Sequence, residues 1–306
     1  MGVFRYLFER SSKSVLYTHV ASRIILKKEK FMAVGELSTG TDQLLASMDE
    51  GVLTITLNRP ESRNALTKDL LDAFSEQLSM AESNTDVRCV VVTGAGKGFC
   101  AGGDVKAMAA RNEGGRTITV DEAINRQRIH QRATSGRLYK MPKPTIASLP
   151  GAAAGAGLGI ALSCDLRIMS SKAIMTSAFA RIGFSGDYGG TLFLSQLIGT
   201  AKARELYFLS ERVSAEEALR LGLTNWVVEP DDLATETREI ALRLAKGPTV
   251  AYSYMKENFA RALTSGDVHD CLDLEVSHHV HCASTEDHKN AAKAFLEKQE
   301  PEFNGR

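Results

Sequence analysis

The sequence has no excess of either charge: 37 lysines and arginines face 37 aspartates and glutamates over 306 residues. Nucleic-acid-binding proteins carry a marked basic surplus, so that class is set aside. Long apolar runs are missing as well. None approaches the ~18 residues that a membrane-crossing helix requires. Cysteines are few and odd in number, five in all (Cys89, Cys100, Cys164, Cys271 and Cys282), scattered and without C-x-x-C spacing. That pattern argues against a disulfide framework and for a reducing compartment, and a cytoplasmic protein is expected. Nucleotide-binding signatures are also lacking. A P-loop needs Ser or Thr after its Gly-Lys pair, yet Lys97 is followed by Gly98. Gly155-x-Gly157-x-Gly159 has the wrong last spacing for a dinucleotide fingerprint and does not open the first strand–helix–strand unit. Ser148 and Ser163 lack the G-x-S-x-G elbow of a hydrolytic triad.

What is present is globular in composition, 43% hydrophobic and 24% charged. This suits one large domain with or without a small appendage. Residues 1–31 stand apart, with seven basic and two acidic residues. Three readings stay open for this segment: an organelle transit peptide, which would make the protein mitochondrial; a stretch upstream of a true start at Met32; or a disordered arm. Beyond it, residues 45–234 alternate apolar runs with helical patterns. Strands are expected at Val52-Leu53-Thr54-Ile55-Thr56-Leu57, Cys89-Val90-Val91-Val92, Thr145-Ile146-Ala147-Ser148-Leu149 and Asp165-Leu166-Arg167-Ile168-Met169. Leu66, Leu70, Leu71, Phe74 and Leu78 mark one helix, and a second is expected over about residues 121–140. Repeated strand–helix–strand units indicate an α/β domain. Residues 235–306 read as helices without strands.

Two glycine-rich loops follow strands and precede helices: residues 94–104 and 151–159. The plainer reading is that these glycines permit tight turns and close packing. The functional reading uses the backbone. Gly or Ala at a helix start leaves N–H groups free, in a region where the helix dipole favours negative charge. Two such loops face to face would hold one oxygen between two donors, an oxyanion hole suited to a thioester whose carbonyl becomes an enolate. One donor of this kind is worth roughly 3–4 kcal/mol in the transition state.

Several segments together resemble the crotonase (enoyl-CoA hydratase/isomerase) superfamily. Asn58-Arg59-Pro60-Glu61-Ser62-Arg63-Asn64-Ala65-Leu66 is similar to its early NRPxxxNAL signature, and Cys100-Ala101-Gly102-Gly103-Asp104-Val105 to its AGAD loop. Lys143-Pro144-Thr145-Ile146-Ala147 with residues 151–159 resembles KPxIAxxxGxAxGGG, and Cys164-Asp165, Gly189-Gly190-Thr191 and Arg212-Val213-Ser214-Ala215-Glu216-Glu217-Ala218 follow in family order. The resemblance covers about residues 48–306. It implies a crotonase-like spiral of ββα units, a C-terminal helical trimerisation region, and assembly as a homotrimer or hexamer. It further implies an acyl-CoA substrate, with coenzyme A entering as part of the thioester and no separate cofactor or metal. By position, the N–H groups of Gly103 and Ala156 would form the oxyanion hole. Arg59, Ala65, Gly102 and Asp104 would line the CoA site, and Phe295 and Lys298 of the tail would reach a CoA pocket.

Enoyl-CoA hydratases of this family use two glutamates. The aligned positions here are Gly159 and Phe179, neither of which exchanges a proton, so the ordinary hydratase mechanism lacks its groups. Ile182-Gly183-Phe184-Ser185-Gly186-Asp187-Tyr188-Gly189-Gly190-Thr191 resembles instead the IGLVPDxGGT segment of ring-epoxide and enoyl-CoA isomerases, whose aspartate is catalytic. Gly186 replaces that pattern's proline. The expectation is an isomerase with Asp187 as the single proton carrier. Alternatives are an Asp187-dependent hydratase or hydrolase, and a non-catalytic CoA-binding subunit. Asp187 also suits an ordinary helix N-cap. His278, His279, His281 and Cys282 form a dense cluster, best read as structural or surface residues.

Overall fold

The apolar run Val52–Leu57 forms β3 over those same residues, the third strand of an antiparallel meander after β1 (Gly35–Leu37) and β2 (Leu44–Asp49). In this computed structural model, residues 35–105, 110 and 118–306 are described, so the basic segment 1–31 lies outside the described residues. From β3 the large sheet continues in parallel through β4 (Cys89–Gly94), β6 (Thr145–Leu149), β8 (Leu166–Ser170) and β11 (Trp226–Val228), giving seven strands in the order β1-β2-β3-β4-β6-β8-β11. A four-stranded sheet is built from β5 (Gly98–Cys100), β7 (Ala152–Ala154), β9 (Ile174–Thr176) and β10 (Val213–Ser214), in the order β10-β9-β7-β5. Each turn of the chain thus gives one strand to each sheet: β4 then β5, β6 then β7, β8 then β9. This is a spiral of ββα units, in which successive sharp turns stack on one another.

The helices follow from the same residues. α1 (Lys68–Ser83) starts where the Thr67 hydroxyl accepts the Leu70 N–H at 3.2 Å, and it buries Leu70, Phe74 and Leu78 completely. The helix expected over about residues 121–140 is two helices, α2 (Val120–Ala133) and α3 (Ser135–Lys140). Thr134 breaks it with φ −115° and ψ −91°, while its hydroxyl donates back to the His130 carbonyl at 2.7 Å. Local bonding of this kind competes with helix continuation, and the hydrophobic period does not register it. Next come α4 (Ala156–Ser163), α5 (Gly190–Leu209), α6 (Ala215–Leu221), α7 (Leu233–Ala245), α8 (Thr249–Ser265), α9 (Val268–Ser284) and α10 (Glu286–Glu297).

Both faces of the large sheet are covered. Val90 and Val92 of β4 join the main core with Leu53, Ile55, Phe74 and Leu149. Cys89 and Val91, pointing the other way, pack with Ile146 and Ile168 against Leu233, Ala241 and Ala245 of α7. The helical tail therefore begins inside the α/β unit, with α7 closing its second face.

The rest of the tail is tied on by charge. Asp165 Oδ2 accepts the Thr145 N–H and hydroxyl, each at 2.8 Å, and the Lys256 ammonium of α8 at 2.7 Å. Farther along, the His278 ring stacks on Tyr254 at 4.2 Å and bonds Asn258 at 2.6 Å. Its other nitrogen pairs with Glu257 at 3.3 Å, so this histidine joins α8 to α9. Among the described residues, no helix is long and apolar enough to cross a membrane. Asp165→Ala removes an acceptor shared by three donors, of which Lys256 keeps the Lys143 carbonyl, and an equilibrium urea titration is expected to show a loss of about 2–3 kcal/mol.

Candidate active site

The two glycine loops meet. Gly102 has φ +86°, and a Cβ placed on it would lie 2.8 Å from the Ala154 oxygen and 3.2 Å from the Ala156 nitrogen. Only glycine permits that approach. Ala156 opens α4 after an N-cap at Gly155 (φ +53°), so its N–H has no acceptor within the helix. Gly103 pairs with Leu66 in an isolated parallel bridge, through the Leu66 N–H donating to the Gly102 oxygen at 2.8 Å. Gly102, the neighbour of Gly103 in the chain, thereby lies against the Ala156 backbone. Ala156 is not among the residues with positive φ, so alanine is accommodated there without strain. The plainer reading of the glycines holds as well: a Cβ on Gly157 would sit 2.3 Å from the Cys100 oxygen.

The residues expected at the CoA site also converge. Asn64, fully buried and left-handed at φ 56°, accepts the Arg59 N–H at 2.8 Å and donates to the oxygens of Ala95 and Gly98. This folds the Asn58–Leu66 segment onto the first glycine loop. Arg59 Nη1 then donates to the Ala65 oxygen at 2.6 Å and pairs with Asp104 Oδ2 at 3.4 Å. Lys298 is not joined to this cluster by any hydrogen bond or ion pair. It is the exposed C-cap of α10, and its ammonium has no partner among the described residues. Phe295 is 82% exposed on the same helix.

Asp187 lies on the loop before α5. It is not that helix's N-cap, a place taken by Gly189 (φ 76°). Its side chain instead accepts from Gln127 Nε2 of α2 at 3.1 Å through Oδ2, while the buried Oδ1 has no hydrogen-bond partner among the described residues. Burial drives its pKa up from the usual carboxylate value to about 6. The cause is loss of solvation, which penalises the charged form.

The adjoining residues explain the missing glutamates. At Gly159 a Cβ would meet the Tyr188 oxygen at 2.8 Å and the Tyr188 Cβ at 2.9 Å. The space for a glutamate is thus occupied by the Asp187–Tyr188 loop. Tyr188 is a packing residue, only 2% exposed, held at φ 50° with its N–H donating to Gln131 Oε1 at 2.6 Å. Gln127 and Gln131, four residues apart on α2, therefore grip two successive residues of the loop, a role that single-sequence reasoning did not reach. Phe179 stacks on Tyr207 with ring centroids 5.7 Å apart, and its Cε1 would be 3.7 Å from a Cβ on Gly155. Ser148 and Ser163 are engaged structurally, with the Thr237 hydroxyl and the Ile160 oxygen, at 2.9 and 2.7 Å.

The enoyl-CoA hydratase/isomerase family model matches residues 47–306. The short-chain-enoyl-CoA hydratase of Clostridium acetobutylicum is 37% identical over 254 residues, covering 82% of this chain and 93% of that one. The 1,2-epoxyphenylacetyl-CoA isomerase of Escherichia coli is 34% identical over 263 residues, covering 86% and 98%. Among solved structures, an enoyl-CoA hydratase from Polaromonas sp. JS666 superposes with a TM-score of 0.79 at 32% identity, covering 85% of this chain and 99% of its own. The chain belongs to the enoyl-CoA hydratase/isomerase family and has the crotonase fold. Its named relatives include both hydratases and isomerases.

Gly186 marks its own departure. With φ +116° it adopts a backbone conformation closed to proline, whose ring fixes φ near −65°. Gly186→Pro, which would restore the isomerase pattern, is therefore expected to destabilise the protein by at least ~2 kcal/mol in thermal or urea unfolding.

Proposed function

We propose that this enzyme isomerises an enoyl- or ring-type acyl-CoA thioester by proton transfer through Asp187. The observation carrying this reading is the half-buried carboxylate, with one buried oxygen unpartnered among the described residues and a pKa raised to about 6, beside two positions that hold no carboxylate. Asp187 in its ionised form removes a proton from the acyl chain. The electron pair moves onto the thioester oxygen, which the Gly103 and Ala156 N–H groups hold as an enolate. Protonated Asp187 then returns the proton at another carbon, so no atom is gained or lost. A base near pKa 6 is matched to this two-way exchange. Arg59, Ala65, Gly102 and Asp104 hold the CoA moiety on the first glycine loop.

Asp187→Asn is expected to lower kcat by at least ~10², and activity should rise with pH through about 6 as the base ionises. Turnover within a few-fold of the native enzyme would remove Asp187 from this role. Water addition by Asp187 is the competing reading, favoured by the hydratase at 37% identity. Turnover in ¹⁸O-labelled water separates them, since isomerisation incorporates no solvent oxygen.

The same carboxylate should record its cost in stability. Its folded pKa lies above the unfolded one, so this group's contribution to stability is fully present below about pH 4, declines as pH rises and is lost above about 6. Asp187→Asn removes that cost and should be more stable than the native enzyme at pH 8 by up to about 3 kcal/mol, with the difference vanishing below about pH 4.

For assembly, a homotrimer or a hexamer is proposed. Val268, Leu272, Val276 and Val280 recur every fourth residue on α9 and are 53–64% exposed, an apolar stripe that a partner subunit would cover. Light scattering should give three or six times the chain mass, and Val276→Asp with Val280→Asp should reduce it.

A further inference from the structure

Two buried polar atoms beside the candidate base have no hydrogen-bond partner among the described residues: Asp187 Oδ1 and the Tyr207 hydroxyl. A free oxygen is what a base requires. The hydroxyl has no such use in the proposed reaction, and a buried donor left unpaired costs folding free energy. Tyr207 lies in the second half of α5, beyond a break at Gly199 with φ 76° and ψ 159°. Its ring reaches back to the start of that helix, where a Cβ on Gly190 would be 2.4 Å from its oxygen and one on Gly186 would be 2.9 Å from its Cε1.

Gly186 and Gly190 thus bring loop backbone, with no side chain of their own, against the buried phenol. The stacked Phe179 ring spans from Tyr207 to Gly155, at the N-cap of the helix opened by Ala156. Burial first, and then the nearby Asp187 charge, push the phenol up to about 12, so at neutral pH it is a hydrogen-bond donor that keeps its proton.

We propose that Tyr207 is a specificity-determining residue whose hydroxyl donates a hydrogen bond to an oxygen on the substrate's acyl group, separate from the thioester carbonyl. The preferred substrates are then acyl-CoAs that carry a hydroxyl, oxo or ether-type oxygen on the acyl chain or ring. A hydrocarbon acyl chain leaves the donor unpaired in the complex and binds more weakly for that reason. This inference rests on the Asp187 site being the acyl site.

Calorimetric binding of matched acyl-CoAs tests it without depending on turnover. Hexanoyl-CoA is compared with its 3-oxo, 4-hydroxy and 5-hydroxy derivatives, and phenylacetyl-CoA with ring-hydroxylated forms. The native enzyme should bind at least one oxygenated member about tenfold more tightly than its parent. Tyr207→Phe should abolish that preference and hold the parent's affinity within about twofold. Because the variant loses only an unpaired hydroxyl, its melting temperature without ligand should equal or exceed that of the native protein.

The proposal fails if the native enzyme shows no preference, or if Tyr207→Phe retains it. It also fails if the variant weakens all ligands alike with a fall in melting temperature, since Tyr207 is then a packing residue. A shifted pH midpoint of turnover with the preference intact would make the hydroxyl a partner of Asp187, and would overturn the proposal too. If no acyl-CoA binds more tightly than CoA itself, the acyl-site reading falls and takes this inference with it.

Discussion

The close approach of Gly102 to the Ala154–Ala156 backbone is the contact on which the site depends. A methyl group on Gly102 would force the two loops apart, since it would lie 2.8 Å from the Ala154 oxygen. The fold enforces the approach by giving each turn of the spiral one strand in either sheet. β4 and β6 are neighbours in the large sheet, and their successors β5 and β7 are neighbours in the small one. The loops after them have to run side by side. A meeting of two backbones needs no particular side chain beyond the glycine that permits it, so the side chains around it are free to differ.

Asp187 depends on that frame from the opposite direction. A carboxylate would ordinarily turn toward water, yet this one is kept half-dry by a loop with several unusual residues in succession. Gly186 and Gly189 have positive φ, Tyr188 is left-handed without being glycine, and Gln131 holds its N–H in place. Backbone strain concentrated beside a group with a displaced pKa is a common mark of a functional site.

Much of the fold was legible in the sequence because local pattern and tertiary setting agree. β3 and β6 occupy the residues their apolar runs suggested, and β4 is buried on both faces as an unbroken Val run implies. Thr134 escaped notice because a side-chain hydrogen bond, not hydropathy, ends α2 there. Of the site, Gly103, Ala156, Arg59 and Asp187 were visible through motifs. Gln127, Gln131 and Tyr207 were not, since each is some twenty to sixty residues from Asp187 in sequence and reaches it only through packing. The conformation of Gly186 could be read only from its φ, because a glycine in a loop is compatible with many.

Asp165 has a mechanical consequence. One of its oxygens takes a donor pair from the first residue of β6 and the ammonium of Lys256 from α8, next to a cleft of about 510 Å³ between α8 and the core. Beyond α7, which packs on the sheet, the helical tail is thus joined to the core at a charged pair. Ion pairs loosen with salt and with protonation more readily than packed side chains do. The Lys256–Asp165 joint is therefore the salt-sensitive attachment of the tail, whereas α7 is held by apolar packing on the large sheet.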